Sequence, residues 1–391
     1  MPDVLVLGGG IIGLSIAWQL SADGASVSLL DPSPGSGATT AAAGMLAPVT
    51  EAHYGEEALI RLNLESATAW PAFARRLESE SGLEVGYDAS GTLAIGFDPS
   101  DKAALDELHG FQVSLGLDSH LATALACRRA EPLLAPSIRG GLDVPGDHQV
   151  DPRKVTRALL SAGESAGVRL LATRARELLV AGGRCQGARD DDGREHRADW
   201  TVVAAGWQAA EIGGLPAEMR PPVRPVKGQI LRLRLPGSLP RPRRTIRALV
   251  RGSFVYLVPR AGGEVVCGAT SEELGPDTTV TAGAVYSLLR DAQAVLPILS
   301  EAELTEAMAG LRPGSPDNAP MIGPGGLEGL AIATGHFRHG ILLTPITVSI
   351  VADLVSSGTG AEWEKRPEVD PRRFSSEGAT EASAAPTEQG S

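Results

Sequence analysis

Gly8, Gly10 and Gly13 stand in the run Leu7-Gly8-Gly9-Gly10-Ile11-Ile12-Gly13 and reproduce the spacing G-x-G-x-x-G. The pattern alone says little, so its surroundings decide what it means. Residues 3–8 (DVLVLG) form a continuous apolar run, as in a parallel strand buried on both faces. Residues 11–21 carry apolar side chains at helical spacing, and residues 26–30 (SVSLL) read as a second strand that stops at Asp31. Asp31 lies 18 residues beyond Gly13. A strand, a glycine turn, a helix and a second strand ending in an acid make a β-α-β unit able to bind a dinucleotide. Gly8 permits the tight turn, Gly10 lets backbone approach a pyrophosphate, and Gly13 lets helix and strand pack closely. The helix N-terminus offers free N–H groups to phosphates. Asp31 can accept hydrogen bonds from a ribose, and its charge would repel a 2′-phosphate, which disfavours NADP. The competing reading is a glycine-rich turn without a ligand. The glycines leave NAD and FAD equally open.

The stretch Gly37-Ala38-Thr39-Thr40-Ala41-Ala42-Ala43-Gly44-Met45 bears on that choice. Small residues would let backbone run against a long ligand, and threonine hydroxyls reach phosphates; a flexible Ala/Gly linker fits the same composition. Residues 33–48 as a whole read as a close-approach loop. Amphipathic helices are expected at 55–82, 101–117, 150–166 and 281–296. Strands are expected at 91–97, 168–172, 176–180, 201–205 and 329–334, with several more between 226 and 268. Gly340 to Val355 is the most apolar late stretch. At about 16 residues, with Pro345 and Asp353 inside it, it falls short of a bilayer span and reads as a loop leading into a buried helix.

The chain has 391 residues, 43% hydrophobic and 21% charged, a composition suited to a globular protein of two interleaved domains or one large one. Aromatics make up only 4%, so the core must rely on Val, Leu, Ile and Ala. A net charge of −12 argues against nucleic acid as a partner. Arg241, Arg243, Arg244, Arg247 and Arg251 are a local exception, read as a solvated loop or a salt-bridged subunit contact. Cys127, Cys185 and Cys267 are odd in number and far apart. They point to no disulfide framework or zinc site, to burial as small apolar groups, and to a reducing cytoplasm. The N-terminus shows no basic signal region. No His/Asp/Glu cluster has metal-ligand spacing, and no internal repeat is visible. From about residue 365 the composition turns polar and disorder is expected.

The runs VLGGGIIGLSIAWQL, ATTAAAGMLAP, GLRPGSPDNAPMIG and GHFRHGILLTP together resemble the glycine oxidases of the thiamine-biosynthesis type, within the D-amino-acid oxidase family of flavoproteins. The likeness runs from about residue 3 to residue 357, supported by HQVDPRKVTRALL (148–160), VVAAGW (202–207, with Gly206), PVKGQI (225–230) and YLVPR (256–260). It implies a mixed α/β fold with a discontinuous FAD-binding Rossmann-like domain (1–50, 148–218 and 320–362). A substrate domain on a mixed β-sheet (51–147 and 219–319) and a disordered tail (365–391) complete it. It also implies non-covalent FAD, since residues 308–323 contain no cysteine. The reaction implied is oxidation of glycine and small amines by O₂, with the glyoxylate imine serving thiazole formation. A homo-oligomer such as a tetramer, and a link to thiazole synthase, are further expectations.

Carried onto this chain, the resemblance puts Ile11 and Ile12 at the pyrophosphate turn and Asp31 at the ribose. Thr39 and Thr40 lie along the phosphates, and Ala43, Gly44 and Met45 by the flavin. Ala175 falls on the adenine side, and His336, Phe337, Arg338, His339, Gly340, Ile341 and Leu342 wrap the ring. Arg312, in what reads as a Gly-Leu-Arg-Pro-Gly turn, pairs with the substrate carboxylate, with Tyr256 and Arg338 beside it. Arginine suits that role because its planar fork binds both oxygens. Of the histidines, His336 is expected to pack and His339 to be solvated, and His148 to be structural. Phe254 and Ser271 depart from a bacterial relative's histidine and methionine at positions expected close to the substrate pocket. Other readings stay open: another oxidase or dehydrogenase of the family, or a non-catalytic NAD(H)- or FAD-binding module.

Overall fold

The computed structural model of the chain describes residues 2–358 and 360–374. Two sheets organise it. The first has six strands in the order Met321–Pro324, Leu330–Thr334, Trp200–Val203, Asp3–Leu7, Ser26–Leu30 and Arg169–Leu171. All neighbours are parallel except the pair formed by Met321–Pro324 and Leu330–Thr334. The apolar run at Asp3–Leu7 is one of the two central strands, and its Val6 is fully buried. A parallel sheet needs cover on both faces. Helices Ile11–Ala22, Pro152–Ala166 and Thr344–Ser357 supply one, around Trp18, Leu29, Leu159 and Ile350. A three-stranded sheet (Ala175–Ala181, Arg184–Asp190, Glu195–Arg197) supplies the other, packing Leu178, Cys185 and Ala188 against Leu5, Leu7 and Val203.

The second sheet has eight strands, in the order Glu303–Gly314, Arg224–Arg234, Glu264–Gly268, Ser253–Pro259, Thr245–Val250, Thr92–Gly96, Gly140–Val144 and His120–Thr123. Its pairs are antiparallel apart from Thr245–Val250 with Thr92–Gly96. Helix Ala282–Val295 covers one face through Leu288, Ala292 and Val295. The helix ends follow from local chemistry. Asp151 caps Pro152–Ala166 by accepting from the Arg153 and Lys154 N–H groups, and Gly167 closes that helix in a left-handed conformation. Asp98 and Asp101 form a reciprocal capping box on Pro99–Ser114. All three cysteines are buried and unpaired. Among the described residues no helix is long and apolar enough to cross a membrane.

Four expectations need correction. The 33–48 stretch is not all loop: Ala38–Ala41 forms one helical turn and Met45–Leu46 a short strand paired with His148–Gln149. Arg312 sits not in a turn but in the strand Glu303–Gly314, opposite Val226. Part of the Arg-rich stretch is strand as well. Arg247 pairs in register with Tyr256, and Arg244 ion-pairs with Asp143 at 2.6 Å. Finally, residues 365–374 are ordered. Val369 is fully buried, Arg366 binds Glu65 at 2.5 Å, and Arg373 binds Asp317 at 2.8 Å. Residues 375–391 of the expected tail lie outside the described residues.

Val369→Ala tests whether 365–374 belongs to the folded core. Removing two buried methylene equivalents and leaving a void should lower the unfolding free energy by about 2 kcal/mol in chemical denaturation. An unchanged midpoint would show the segment to be dispensable.

Candidate cofactor and substrate site

A cavity of about 580 Å³ runs from the end of strand Asp3–Leu7 to Arg312 in the second sheet. Its first wall is the glycine turn. Gly8 holds φ at +107°, where a side chain would collide with the Ala204 carbonyl. A Cβ on Gly13 would overlap the Gly8 carbonyl, so no other residue lets this helix settle on this strand. Gly10, by contrast, leaves open space towards the cavity, the nearest atom to an added Cβ being Thr39 Oγ1 at 3.6 Å. The Ile11 N–H donates to that hydroxyl at 3.1 Å, while the N–H groups of Gly10, Ile12 and Gly13 find no acceptor among the described residues. These are the free donors a phosphate needs. Asp31 accepts from Gly9 N–H (2.6 Å) and Ser33 N–H (2.7 Å), and its remaining lone pairs face the cavity wall for a hydroxyl donor.

Small residues then let the walls close in. Ala43, Gly44 and Met45 line the middle of the cavity, with Gly206 and Ala175 towards its other end. A Cβ on Gly44 would overlap the Val150 carbonyl, and one on Gly310 would come within 2.6 Å of Ala41 Cβ. Free donors at a helix start, a ribose-type acceptor and a long channel bordered by glycine and alanine suit a flavin dinucleotide. His336, Phe337, Arg338, Gly340 and Ile341 line the cavity on the far side. Four residues expected there do not: Gly13 packs behind the turn, Leu342 is buried, and Thr40 turns its hydroxyl to the Gly35 carbonyl. His339, the fourth, is not solvated but 1% exposed, with burial pulling its imidazole down to about 4. His336 donates or accepts against Thr347 Oγ1 at 2.9 Å, and burial pulls it down to about 3. Both rings are therefore neutral at physiological pH.

The second sheet supplies the polar end. Arg312 donates to the Thr270 carbonyl at 3.1 Å and makes no ion pair among the described residues. Its guanidinium lies over Gly228, where any Cβ would overlap it. Tyr256 likewise reaches across Gly268. Burial pushes the Tyr256 phenol up to about 12, so it stays a neutral donor. Arg338 is exposed into the cavity, 4.9 Å over the Phe337 ring and without an ion pair among the described residues. Phe254 and Ser271, expected near the pocket, do not line it. Phe254 is 57% exposed, on the outer side of Arg247.

Two functional side chains escaped the sequence reading. Glu51 lines the cavity, ion-paired to Arg247 and 3.5 Å from His339 Nδ1. Burial pushes its carboxyl up, but Arg247, His339 and Arg338 more than offset this and leave it below the usual carboxylate range. Asp147 delivers it, accepting from Val49 N–H (3.0 Å), Thr50 N–H (2.8 Å) and Thr50 Oγ1 (2.6 Å). Only the cluster of arginines at 241–251 hinted at an unsatisfied positive charge. No group of His, Cys, Asp and Glu able to hold a metal ion occurs among the described residues.

Comparison with known proteins agrees with this geometry. Residues 3–354 match the family described as FAD dependent oxidoreductase, DAO. The bifunctional protein ThiO/ThiG of Nostoc sp. is 34% identical over 90% of this chain, which spans 52% of that protein, about half its length. Hydrogen cyanide synthase subunit HcnC of Pseudomonas aeruginosa is 30% identical over 91% of this chain and 93% of its own. The crystal structure of glycine oxidase from Geobacillus kaustophilus superposes with a TM-score of 0.83 at 32% identity, covering 91% of this chain and 95% of that one. With the family pattern spanning nearly the whole described chain and the fold matching a solved relative, the chain belongs to the DAO family of FAD-dependent oxidoreductases.

Proposed function

We propose that the chain oxidises the amine of a small amino acid, glycine in the first place, and passes the electrons to O₂. The observation that carries this reading is Arg312: a guanidinium in the cavity wall, braced by one backbone carbonyl and lacking any carboxylate of its own. A substrate carboxylate completes it through two parallel charge-assisted bonds. Tyr256, held neutral, donates a further hydrogen bond beside it. In this reading the first sheet with its helices holds FAD and the second sheet holds the substrate. Gly8, Gly10, Ile11, Ile12, Asp31 and Thr39 serve the pyrophosphate and ribose, and Ala43 to Met45 with His336, Phe337, Arg338, Gly340 and Ile341 the ring.

Bound FAD supplies a two-electron acceptor for the α-carbon hydride and returns the electrons to O₂. The net reaction converts glycine, O₂ and water to glyoxylate, ammonia and H₂O₂. The chain's own contribution is to bind, orient and dry the substrate. An ammonium enclosed beside Arg312 and Arg338 is disfavoured by desolvation and by like charge, so the amine enters the reaction neutral. That removes the need for a strong base, which the neutral, buried His336 and His339 would not provide.

The Nostoc relative is bifunctional and this chain matches about half of it, which supports an imine product destined for a second activity, the thiazole branch of thiamine biosynthesis. The likeness to a hydrogen cyanide synthase subunit favours a second reading, in which a small amine is oxidised and the two electrons leave the flavin to an acceptor other than O₂, such as a quinone.

Anaerobic addition of glycine to the purified yellow protein should bleach its visible flavin absorbance, and air should restore it with stoichiometric H₂O₂. Bleaching by D-proline or sarcosine but not by glycine would overturn the glycine assignment; bleaching without H₂O₂ on re-aeration selects the second reading. Arg312→Ala should retain FAD yet lose about 3 kcal/mol of substrate binding, roughly a hundredfold rise in KM. An unchanged KM removes Arg312 from the site. Denaturation should release the cofactor into solution, since Cys127, Cys185 and Cys267 all lie away from the cavity lining; colour that stays with the precipitated chain would disprove non-covalent binding.

A further inference from the structure

Two residues that the proposed reaction does not use, Arg260 and Gln149, converge on one peptide of the cavity wall. Arg260 closes YLVPR, Gln149 belongs to HQVDPRK, and Ala43 and Gly44 belong to ATTAAAGM. One terminal nitrogen of Arg260 donates to the Gln149 amide oxygen and the other to the Ala43 carbonyl. The remaining nitrogen, Nε, is buried without a hydrogen-bond partner, and Arg260 makes no ion pair among the described residues. Its neighbours are better compensated. Arg153 binds Glu306 at 2.9 Å, and Arg232 binds Glu264 at 2.6 Å. Arg260 alone of these three spends its charge on neutral oxygens. Arg260 is half-buried with its Nε enclosed, and the carboxylates that act on it, Asp151, Glu264 and Asp88, make no direct ion pair with it, so its hydrogen bonds go to neutral oxygens. A charged group so committed marks a place where the charge has a use.

The other side of the same peptide shows what that use is. The Ala43 carbonyl and the Gly44 N–H belong to one planar trans unit, so they point in opposite directions. Gly44 is buried and lines the cavity, and its N–H has no acceptor among the described residues. A buried N–H left unpaired is rare in a folded protein unless a ligand meets it. A cation on the carbonyl oxygen draws electron density through the amide and makes that N–H a stronger donor. The following peptide is anchored as well, its Gly44 carbonyl accepting from the Val150 N–H at 2.9 Å, so the Ala43–Gly44 unit is held on one side by Arg260 and flanked on the other by a fixed neighbour.

We propose that Arg260 is a positioning residue which holds and polarises the Ala43–Gly44 peptide, so that the Gly44 N–H is presented to the isoalloxazine ring of FAD. This rests on the placement of the ring beside Ala43 to Met45 made above. Gln149 is the brace: it fixes the guanidinium from the side away from the peptide, and its own strand pairs Gln149 with Met45. The arrangement raises the electron-accepting character of the ring without placing a charged side chain in the substrate's path.

Sulfite tests this without any amine substrate, because its affinity for oxidised flavin rises with donors and positive charge near the ring. Arg260→Met, purified with FAD, should bind sulfite at least tenfold more weakly than the parent and show a shifted visible flavin spectrum, with KM for glycine changed less than twofold. Arg260→Lys, which can still reach the carbonyl with a cation, should recover most of the affinity. Should Arg260→Met fail to fold or load FAD, Gln149→Leu loosens the guanidinium while leaving its charge and should weaken sulfite binding about threefold. Sulfite affinity and spectrum unchanged in whichever of these variants carries FAD overturn the proposal. A parent protein that binds sulfite but is not bleached by glycine refutes the substrate assignment and leaves this inference standing.

Discussion

At both ends of the cavity, backbone or side chain comes so close to a glycine that no Cβ would fit. Gly13 lets a helix rest on the Gly8 carbonyl, Gly44 lets its strand pass the Val150 carbonyl, Gly228 lets the Arg312 guanidinium lie flat, and Gly268 does the same for the Tyr256 ring. These close approaches belong to two different sheets. A long ligand can touch both only because each sheet brings bare backbone to the shared boundary. Larger residues would move the walls apart by a methyl group or more, and interiors packed to crystal density do not absorb that shift elsewhere. The dinucleotide-binding turn is one instance of this requirement rather than its whole extent.

Charge is arranged by the same economy of space. Arg312 and Arg338 face the cavity without ion-paired carboxylates among the described residues, whereas Arg247 is paired with Glu51. The unpaired ones are available to a ligand and the paired one is not. Glu51 is held in place from behind by Asp147, whose carboxyl is pushed up to about 6 by burial and accepts three hydrogen bonds from residues 49 and 50. The position of the Glu51 carboxylate is therefore set by a loop anchor and an ion pair on different elements, a rigid arrangement for a group in a binding wall.

The first thirty residues were legible because their signals are local: an apolar strand, a glycine turn, a helix and a terminal acid within one supersecondary unit. The amphipathic helices were legible for the same reason, their period being visible within a single window. Arg312 was placed in the right site but in the wrong element. Gly-Leu-Arg-Pro-Gly reads as a turn, yet Glu303–Gly314 is an edge strand paired on one side only, where proline costs no ladder bond. Glu51, Arg247 and His339 could not be connected by pattern, because their contact depends on a cross-strand neighbour and a loop far apart in sequence. Residues 365–374 looked like solvated tail because their composition is polar. What orders them is one buried valine and two arginines whose partners, Glu65 and Asp317, lie in other parts of the chain.

The unpaired guanidiniums also shape how a ligand arrives. The chain carries a net charge of −12, so its far field repels anions and is indifferent to a zwitterion. At the polar end of the cavity Arg312 and Arg338 contribute local positive charge, while Asp31 and Glu51 line it elsewhere. A zwitterionic substrate of the kind proposed would feel these two guanidiniums as a torque on its dipole, turning its carboxylate inward. Such alignment weakens as ionic strength rises and the Debye length shrinks towards the dimensions of the cavity mouth.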